Sequence, residues 1–425
     1  MILKARHVQW DLWNLHQRAR GRLLVLTGAR QTGKSTLAHM AFPDYPLIDM
    51  DTPAERAVYE RLSPADWIAR FPRAVIDEAQ KLPAVFEIVK ACYDRDPRVR
   101  YVLLGSSQIL VQKKVRETLA GRVALRELFP FSLPELANSK PATYPRDSRL
   151  VDLVRAEAPA GAIEKLFPAD LVLAPAHAAA ALWWRELLRW GGMPVIHAEG
   201  WTDEDRFQWL QDYQATYLQR DLADLARLDR LEPFVRAQKA AALKTAQTIN
   251  FSELARLADV SPPTARQYLR YLEISYQVVL LPAWFRNLGK RLAKQPKLHF
   301  LDSGIRRAVA NRRGEPDGAE YESAVVAEVI KQCRTRRLPV EFHNLRTSDG
   351  REVDLLVERE DGFIAMECKQ AERSGPSDFR HLRGLEEILD KPLLLGLVVS
   401  EDPQIERIDD APAPLWKLPA AALLC

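Results

Sequence analysis

Residues Gly28-Ala29-Arg30-Gln31-Thr32-Gly33-Lys34-Ser35-Thr36 set two glycines five positions apart and end in a lysine and two hydroxyls, which matches the pattern G-x-x-x-x-G-K-[ST]. Glycines so placed let successive backbone N–H groups turn toward a single anion. A helix beginning at Lys34 adds the positive end of its dipole. Lys34 can then reach the β- and γ-phosphates of a nucleoside triphosphate, and the Ser35 hydroxyl can coordinate Mg2+. Asp77 lies 43 positions beyond Lys34, with Glu78 next to it, at the end of the apolar run Ala74-Val75-Ile76. Two carboxylates there divide the remaining work: Asp77 holds the Mg2+ and Glu78 orients or deprotonates the attacking water. ATP hydrolysis with Mg2+ is the chemistry these two segments predict together.

Two further groups fit a hydrolysis site. Ser106 and Ser107 follow the apolar run Tyr101-Val-Leu-Leu104, where they either sense the γ-phosphate or cap the next helix. Arg122 follows Gly121 and either supplies a cation to the transition state or is a surface arginine. A cation acting across a subunit boundary requires a homo-oligomer, whereas one acting within its own chain allows a monomer.

A second constellation lies near the C-terminus. Glu352-Val-Asp354-Leu-Leu-Val-Glu358 and Phe363-Ile-Ala-Met-Glu367-Cys368-Lys369 read as strands, with Glu367 following Asp354 by 13 positions. Alternation along a strand puts Glu367 and Lys369 on one face and Cys368 on the other. This arrangement resembles the PD-(D/E)xK nuclease core, although Val353 precedes Asp354 and the proline of that pattern is missing. The resemblance implies Mg2+ held by Asp354 and Glu367, water positioned or activated by Lys369, and a fourth group, Glu328, from the preceding helix. Either the fold cleaves nucleic acid or it is retained for binding alone.

Between the two lies Phe251 to Leu272, with helix-turn-helix spacing. Ser261 is a good N-cap with Pro262 at the first helical position. Leu254, Ala255, Ala258, Ala265, Tyr268, Leu269 and Leu272 form the apolar stripes, leaving Arg266, Gln267 and Arg270 outward, as in a recognition helix. Five cations follow between Arg286 and Lys297, among them Lys290, Arg291 and Lys294. A basic wing of this kind suits DNA phosphates; winged helices also serve as ATPase lids or protein-docking modules.

These residues need elements to carry them. Leu23–Thr27, Pro46–Asp49, Ala74–Asp77, Tyr101–Leu104 and Val123–Leu128 read as continuous apolar strands. Helical patterns lie between them, the mark of a parallel sheet covered on both faces. The fold class is therefore α/β, in four parts: a P-loop ATPase domain over 1–135, an irregular insertion and helical linker or lid over 136–243, a winged helix over 244–312, and an α/β restriction-endonuclease-like domain over 313–425. The middle part is read as irregular because prolines recur from Pro130 to Pro175. Leu171 to Trp184 is too short and too interrupted for a bilayer, so it reads as a core helix with its leading loop. With 425 residues, 47% of them apolar, the chain has material for several cores. A formal charge of +4 is too small to name a partner. Four scattered cysteines without a CxxC point to a reduced, cytoplasmic setting.

The series GARQTGKST, VIDEAQ, LLGSSQ and LAGR resembles a large bacterial and archaeal family of AAA+-type ATPases. Its members join this ATPase to a winged helix and a C-terminal restriction-endonuclease-like domain. Arg189-Trp-Gly-Gly-Met-Pro194, Tyr217-Leu-Gln-Arg220-Asp221 and Leu298-His-Phe-Leu-Asp302-Ser-Gly304 look like the family too, so the similarity spans the chain apart from residues 140–180. The resemblance implies ATP and Mg2+ as cofactors and hints at DNA as partner. Three functions follow as expectations. The first is an ATPase coupled to DNA binding in repair or recombination, with branched or junction DNA suggested by analogy. The second is an ATP-dependent metal nuclease of repair or defence. The third is a nucleotide-gated protein-interaction module.

Overall fold

A computed structural model describes residues 4–105, 117–140, 143–168, 170–226, 231–287, 294–347, 349–408 and 413–425. Ser106, Ser107, Lys290 and Arg291, and the side chains of Tyr217, Arg220 and Asp221, lie outside the described residues.

The first sheet contains β1 (Leu23–Gly28), β2 (Leu47–Asp49), β3 (Arg73–Asp77), β4 (Arg100–Gly105) and β5 (Val123–Leu128), in the order β2-β3-β4-β1-β5. All of its pairings are parallel. The helices α1 (His7–His16), α2 (Lys34–Ala41), α3 (Pro53–Arg61), α4 (Pro64–Arg70) and α5 (Ala84–Arg95) accompany it. The strands are apolar on both faces because both faces are covered. Leu23, Val25, Ala74, Ile76, Tyr101 and Leu103 pack on one side. Leu24, Leu26, Val75, Val102 and Leu104 pack on the other, against Leu37 and Ala38 of α2.

Next come α6 (Leu133–Ala137), α7 (Arg149–Arg155), α8 (Pro159–Leu166) and α9 (Pro175–Trp190). The irregular insertion expected here is corrected: all four of these helices contribute to the C-terminal core. Leu150, Leu153, Ile163, Phe167, Trp184, Leu187 and Leu188 pack with residues from the last third of the chain. The prolines misled because Pro134, Pro159 and Pro175 stand in the first turns of helices. There the missing N–H has no intrahelical partner to lose. Among the described residues no single helix is long and apolar enough to cross a membrane.

The middle of the chain runs α10 (Asp203–Ala226), α11 (Glu232–Leu243), β6 (Gln247–Thr248), α12 (Phe251–Ala258), α13 (Pro262–Ile274), β7 (Val278–Leu281), β8 (Lys297–Phe300) and α14 (Ser303–Val309). Asn250 caps α12 and Ser261 caps α13 through their side chains. The buried stripes are those the spacing predicts. The three strands form an antiparallel sheet in the order β6-β8-β7.

Two of the sequence segments singled out above meet here. Asp302 Oδ2 accepts the Gly192 N–H at 2.7 Å and Oδ1 accepts the Ile305 N–H at 3.0 Å. A Cβ at Gly304 would stand 1.9 Å from the Trp190 carbonyl, so the glycine lets the end of α9 meet the start of α14.

The C-terminal part has α15 (Gly318–Thr335), β9 (Glu341–Arg346), β10 (Glu352–Glu358), β11 (Phe363–Lys369), β12 (Leu393–Ser400), β13 (Glu406–Ile408), β14 (Leu415–Pro419) and α16 (Ala420–Leu424). Its mixed sheet has the order β13-β14-β12-β11-β10-β9. β9, β10 and β11 pair antiparallel, and β11, β12 and β14 pair parallel.

Candidate functional site

The loop from Gly28 to Gly33 leaves the C-terminal end of β1 and enters α2. Gly33 has φ 90° and Gln31 φ 59°, a backbone that turns at positions where glycine is at ease. Gly28 has no room for a side chain, since a Cβ there would meet the Leu128 carbonyl at 2.2 Å. Arg6 braces the loop from outside, donating to the Thr32 carbonyl at 3.1 Å and the Phe129 carbonyl at 2.6 Å. Thr32 Oγ1 donates to the Ala29 carbonyl at 2.8 Å. Tyr213 of α10 reaches the Arg30 carbonyl at 3.4 Å. Thr36, one residue beyond Ser35, is half-buried. A cavity of 230 Å³ borders the loop, lined in part by Arg6, Gln31, Thr32, Gly33 and Thr36.

Lys34 is buried and folded back over its own loop, with Nζ 3.0 Å from the Gly28 carbonyl and 2.8 Å from that of Ala29. An ammonium satisfied by loop carbonyls can exchange them for phosphate oxygens without leaving the loop. Ser35 Oγ donates to Asp77 Oδ2 at 2.5 Å, which brings the two expected Mg2+ ligands from α2 and β3 together. Glu78 adopts φ 47°. Its backbone N–H donates to Asp77 Oδ1 at 2.8 Å, and its carboxylate accepts from Gln80 Nε2. Lys34, Ser35 and the loop amides are therefore the groups that would hold Mg-ATP, with Asp77 on the metal and Glu78 adjacent for the water.

Arg122 does not belong to this site within one chain. It immediately precedes β5, whose Val123 pairs with Leu23 at the start of β1, whereas the loop begins opposite Leu128. At about 3.3 Å per residue, roughly 17 Å of strand lies between them. Arg122 instead pairs with Asp94 of α5 at 3.0 Å.

The candidate nucleic-acid contacts of α13 lie on one exposed face. Arg266, Gln267 and Arg270 are exposed, while Ala265, Tyr268 and Leu269 are buried. Arg266 stacks 4.6 Å from the Phe251 ring centre, and Gln267 Nε2 donates to the Tyr271 hydroxyl at 2.5 Å. Lys294 is exposed, 5.7 Å from the Phe285 ring centre. Lys297, expected to be the last cation of the basic wing, is buried and faces the C-terminal centre.

That centre assembles from four elements. Asp354 of β10 accepts the Cys368 N–H at 3.0 Å. Glu367 of β11 pairs with Lys369 at 3.1 Å and lies 3.5 Å from His381 Nδ1. Glu322 of α15, together with Glu352 and Asp354, surrounds the Lys297 ammonium of β8. Burial first, then the charge of Asp354, pushes the Glu322 and Glu367 carboxyls well above the ordinary range. Burial alone would lower Lys297; Asp354 and Glu322 override it and hold the ammonium above its ordinary value.

Glu328, expected as the fourth group, is a correction. It lies six positions beyond Glu322, about 240° around the helix, on a face turned toward the N-terminal part. Its carboxylate accepts the Leu133 N–H at 2.9 Å, pairs with Lys331 and accepts from Gln332 at 3.1 Å. The spacing could not choose between two glutamates of one amphipathic helix. Lys297 and His381 were missed because no local pattern ties them to the Asp354 and Glu367 segments, whereas strand alternation in β10 puts Glu352 on the same face as Asp354 and could have found it.

Comparison with known proteins bears on each part separately. Residues 20–137 match the AAA domain family. Residues 182–315 and 317–418 match two domains of unknown function (DUF8612 and DUF4143). The chain is similar to the uncharacterized proteins Rv2008c of Mycobacterium tuberculosis and Mb2031c of Mycobacterium bovis. It is 28% identical to each over 373 residues, covering 86% of this chain and 73% of theirs. Among solved structures it is similar to the Walker-type ATPase PABY2304 of Pyrococcus abyssi, with 15% identity, 70% of this chain and 94% of that one covered, and a TM-score of 0.44. It is also similar to the signal-transduction ATPase PH0952 of Pyrococcus horikoshii, with 11% identity, 77% and 46% coverage, and a TM-score of 0.24. The AAA match and the loop joined to Asp77 through Ser35 lead to one statement: the N-terminal part of the chain is a P-loop ATPase domain.

Proposed function

We propose that this protein is a Mg-ATP-hydrolysing ATPase whose turnover is coupled to DNA binding, in repair or recombination, with branched or junction DNA as the substrate class. The observation that carries the reading is the path from the ATPase strand to the helix-turn-helix. Tyr276, in the turn between α13 and β7, places its hydroxyl 2.8 Å from that of Thr27. Thr27 is the residue before Gly28, so a change in the loop bears directly on the far end of the helix carrying Arg266, Gln267 and Arg270. The outward Arg266 and Arg270, with Lys294, suit sequence-independent phosphate contacts more than base readout. The test is steady-state ATP hydrolysis, alone and with single-stranded, duplex and four-way-junction DNA, with Lys34→Ala as control. Turnover raised severalfold by one DNA form supports the reading. Turnover indifferent to every form overturns it and favours a protein partner.

A second reading, an ATP-dependent metal nuclease, is favoured by one specific observation. Asp354, Glu367 and Lys369 converge with Glu322 across α15, β10 and β11, and two to three carboxylates beside a lysine suit metal-assisted hydrolysis. This reading expects Mg2+-dependent cutting that Asp354→Ala or Lys369→Ala abolishes while ATP turnover survives. An Asp354→Ala protein that still cuts would remove it.

A further inference from the structure

Lys297 is the first residue of β8, and β8 belongs to the small sheet behind the helix-turn-helix, not to the C-terminal sheet. Its side chain nevertheless crosses into the C-terminal centre and is 3% exposed. Nζ lies 2.6 Å from Glu322 Oε1, 2.9 Å from Asp354 Oδ1 and 3.1 Å from Glu352 Oε1. An ammonium has three N–H donors; here two donate to Asp354 Oδ1 and Glu352 Oε1, and Glu322 Oε1 completes the cluster as an ion-pair partner. Carboxylate oxygens converging on one point are also what a hard divalent cation takes.

The neighbouring groups are arranged consistently with a position already filled. Asp354 Oδ2 is engaged by the Cys368 N–H at 3.0 Å. Glu367, which would share an ion with Asp354, turns Oε2 to Lys369 at 3.1 Å. Its Oε1 is buried, has no hydrogen-bond partner among the described residues, and has the His381 ring at 3.5 Å.

We propose that Lys297 is an internal counter-ion occupying the divalent-cation position of the C-terminal carboxylate centre, so that the strand following the helix-turn-helix governs whether that centre takes a metal. The inference rests on the reading of Asp354 and Glu367 as a metal-type centre. Lys297 is held by the pairing of its own strand, Leu281 and Thr248 being its register partners. It is the terminal residue of β8, so opening the strand end suffices to withdraw it. A one-residue slip of β8 would send it to the opposite face.

The test is calorimetric titration of the full-length protein with Mn2+ in the absence of nucleotide, each form compared with its Asp354→Asn counterpart. Wild type is expected to show no Asp354-dependent site below about 1 mM Mn2+, because the ammonium competes for the same oxygens. Lys297→Met is expected to gain a site at least about tenfold tighter, lost in Lys297→Met/Asp354→Asn. Lys297→Gln, which keeps an N–H donor to the carboxylates, serves where Lys297→Met does not fold. A wild-type site that Asp354→Asn removes and that is as tight as the variant's overturns the role of Lys297 while leaving the metal centre standing. No Asp354-dependent binding in either folded variant overturns both.

Discussion

The Thr27 and Tyr276 hydroxyls stand 2.8 Å apart although 249 positions separate them in the chain. Tyr276 is buried, sits at φ 62° and donates a further contact to Glu127 at 3.2 Å, which Arg334 of α15 holds at 3.0 Å. Strand β1, the end of α13 and α15 thus meet at one polar junction. Tyr276→Phe is expected to cost about 1–3 kcal/mol, by leaving buried partners unsatisfied, and to abolish DNA stimulation while basal turnover stays within about twofold. Parallel denaturation and ATPase assays check this; full DNA stimulation in Tyr276→Phe would remove the junction from the coupling path.

The placement of Arg122 bears on assembly. At the far end of the sheet from the loop of its own chain, it can stabilise phosphoryl transfer only in another subunit's site. Turnover per chain is therefore expected to rise with protein concentration, and Arg122→Ala to remove that rising part, by up to about 10³-fold where the arginine acts as a transition-state cation. Phosphate release measured across a dilution series decides it. A wild-type rate independent of concentration that Arg122→Ala leaves unchanged would make Arg122 a surface residue paired with Asp94.

Gly304 tests the junction of α9 and α14. A Cβ there would stand 1.9 Å from the Trp190 carbonyl, so Gly304→Ala must push the two helices apart. We expect a loss of about 2 kcal/mol or more, read as a lowered midpoint in thermal unfolding. Gly314→Ala is the control: its Cβ would meet nothing within 4 Å, and the change should stay within about 0.5 kcal/mol.

Two histidines set an acid limit. Burial holds both His16 and His197 down at about 4. Each ring has a nitrogen 2.8 Å from a backbone carbonyl, that of Gly21 and that of Gly191 respectively. The unfolded imidazole takes a proton below about 6.5, whereas the folded ring resists until about 4. Their stability contribution is thus fully present above 6.5 and lost as pH falls toward 4, on the order of 3 kcal/mol per ring. Urea midpoints at pH 7, 5.5 and 4.5 should fall in that order, and less steeply in His197→Gln. An equal slope in that variant would contradict a neutral buried ring.

The ATPase half of the site was legible in the sequence because its groups are local. Gly28 to Ser35 sit on one loop and the start of one helix, Asp77 ends one apolar strand, and the parallel order of those strands puts both at one end of the sheet. The helix-turn-helix was legible for the same reason, its caps and stripes repeating within a single stretch from Phe251 to Ile274. The second centre was only half legible. Asp354, Glu367 and Lys369 follow strand alternation, but which glutamate of α15 joins them depends on how that helix is rotated against two different neighbours. Packing turned Glu322 inward and gave Glu328 to the Leu133 amide. Lys297 was written among surface cations, and only the docking of β8 against the C-terminal sheet buried it among three carboxylates. The sequence by itself determined the elements and the chemistry carried within each, because short-range periodicity and capping act over a few residues. Only the tertiary structure decided which charges face one another across elements, because burial and ion pairing depend on contacts that no local pattern encodes.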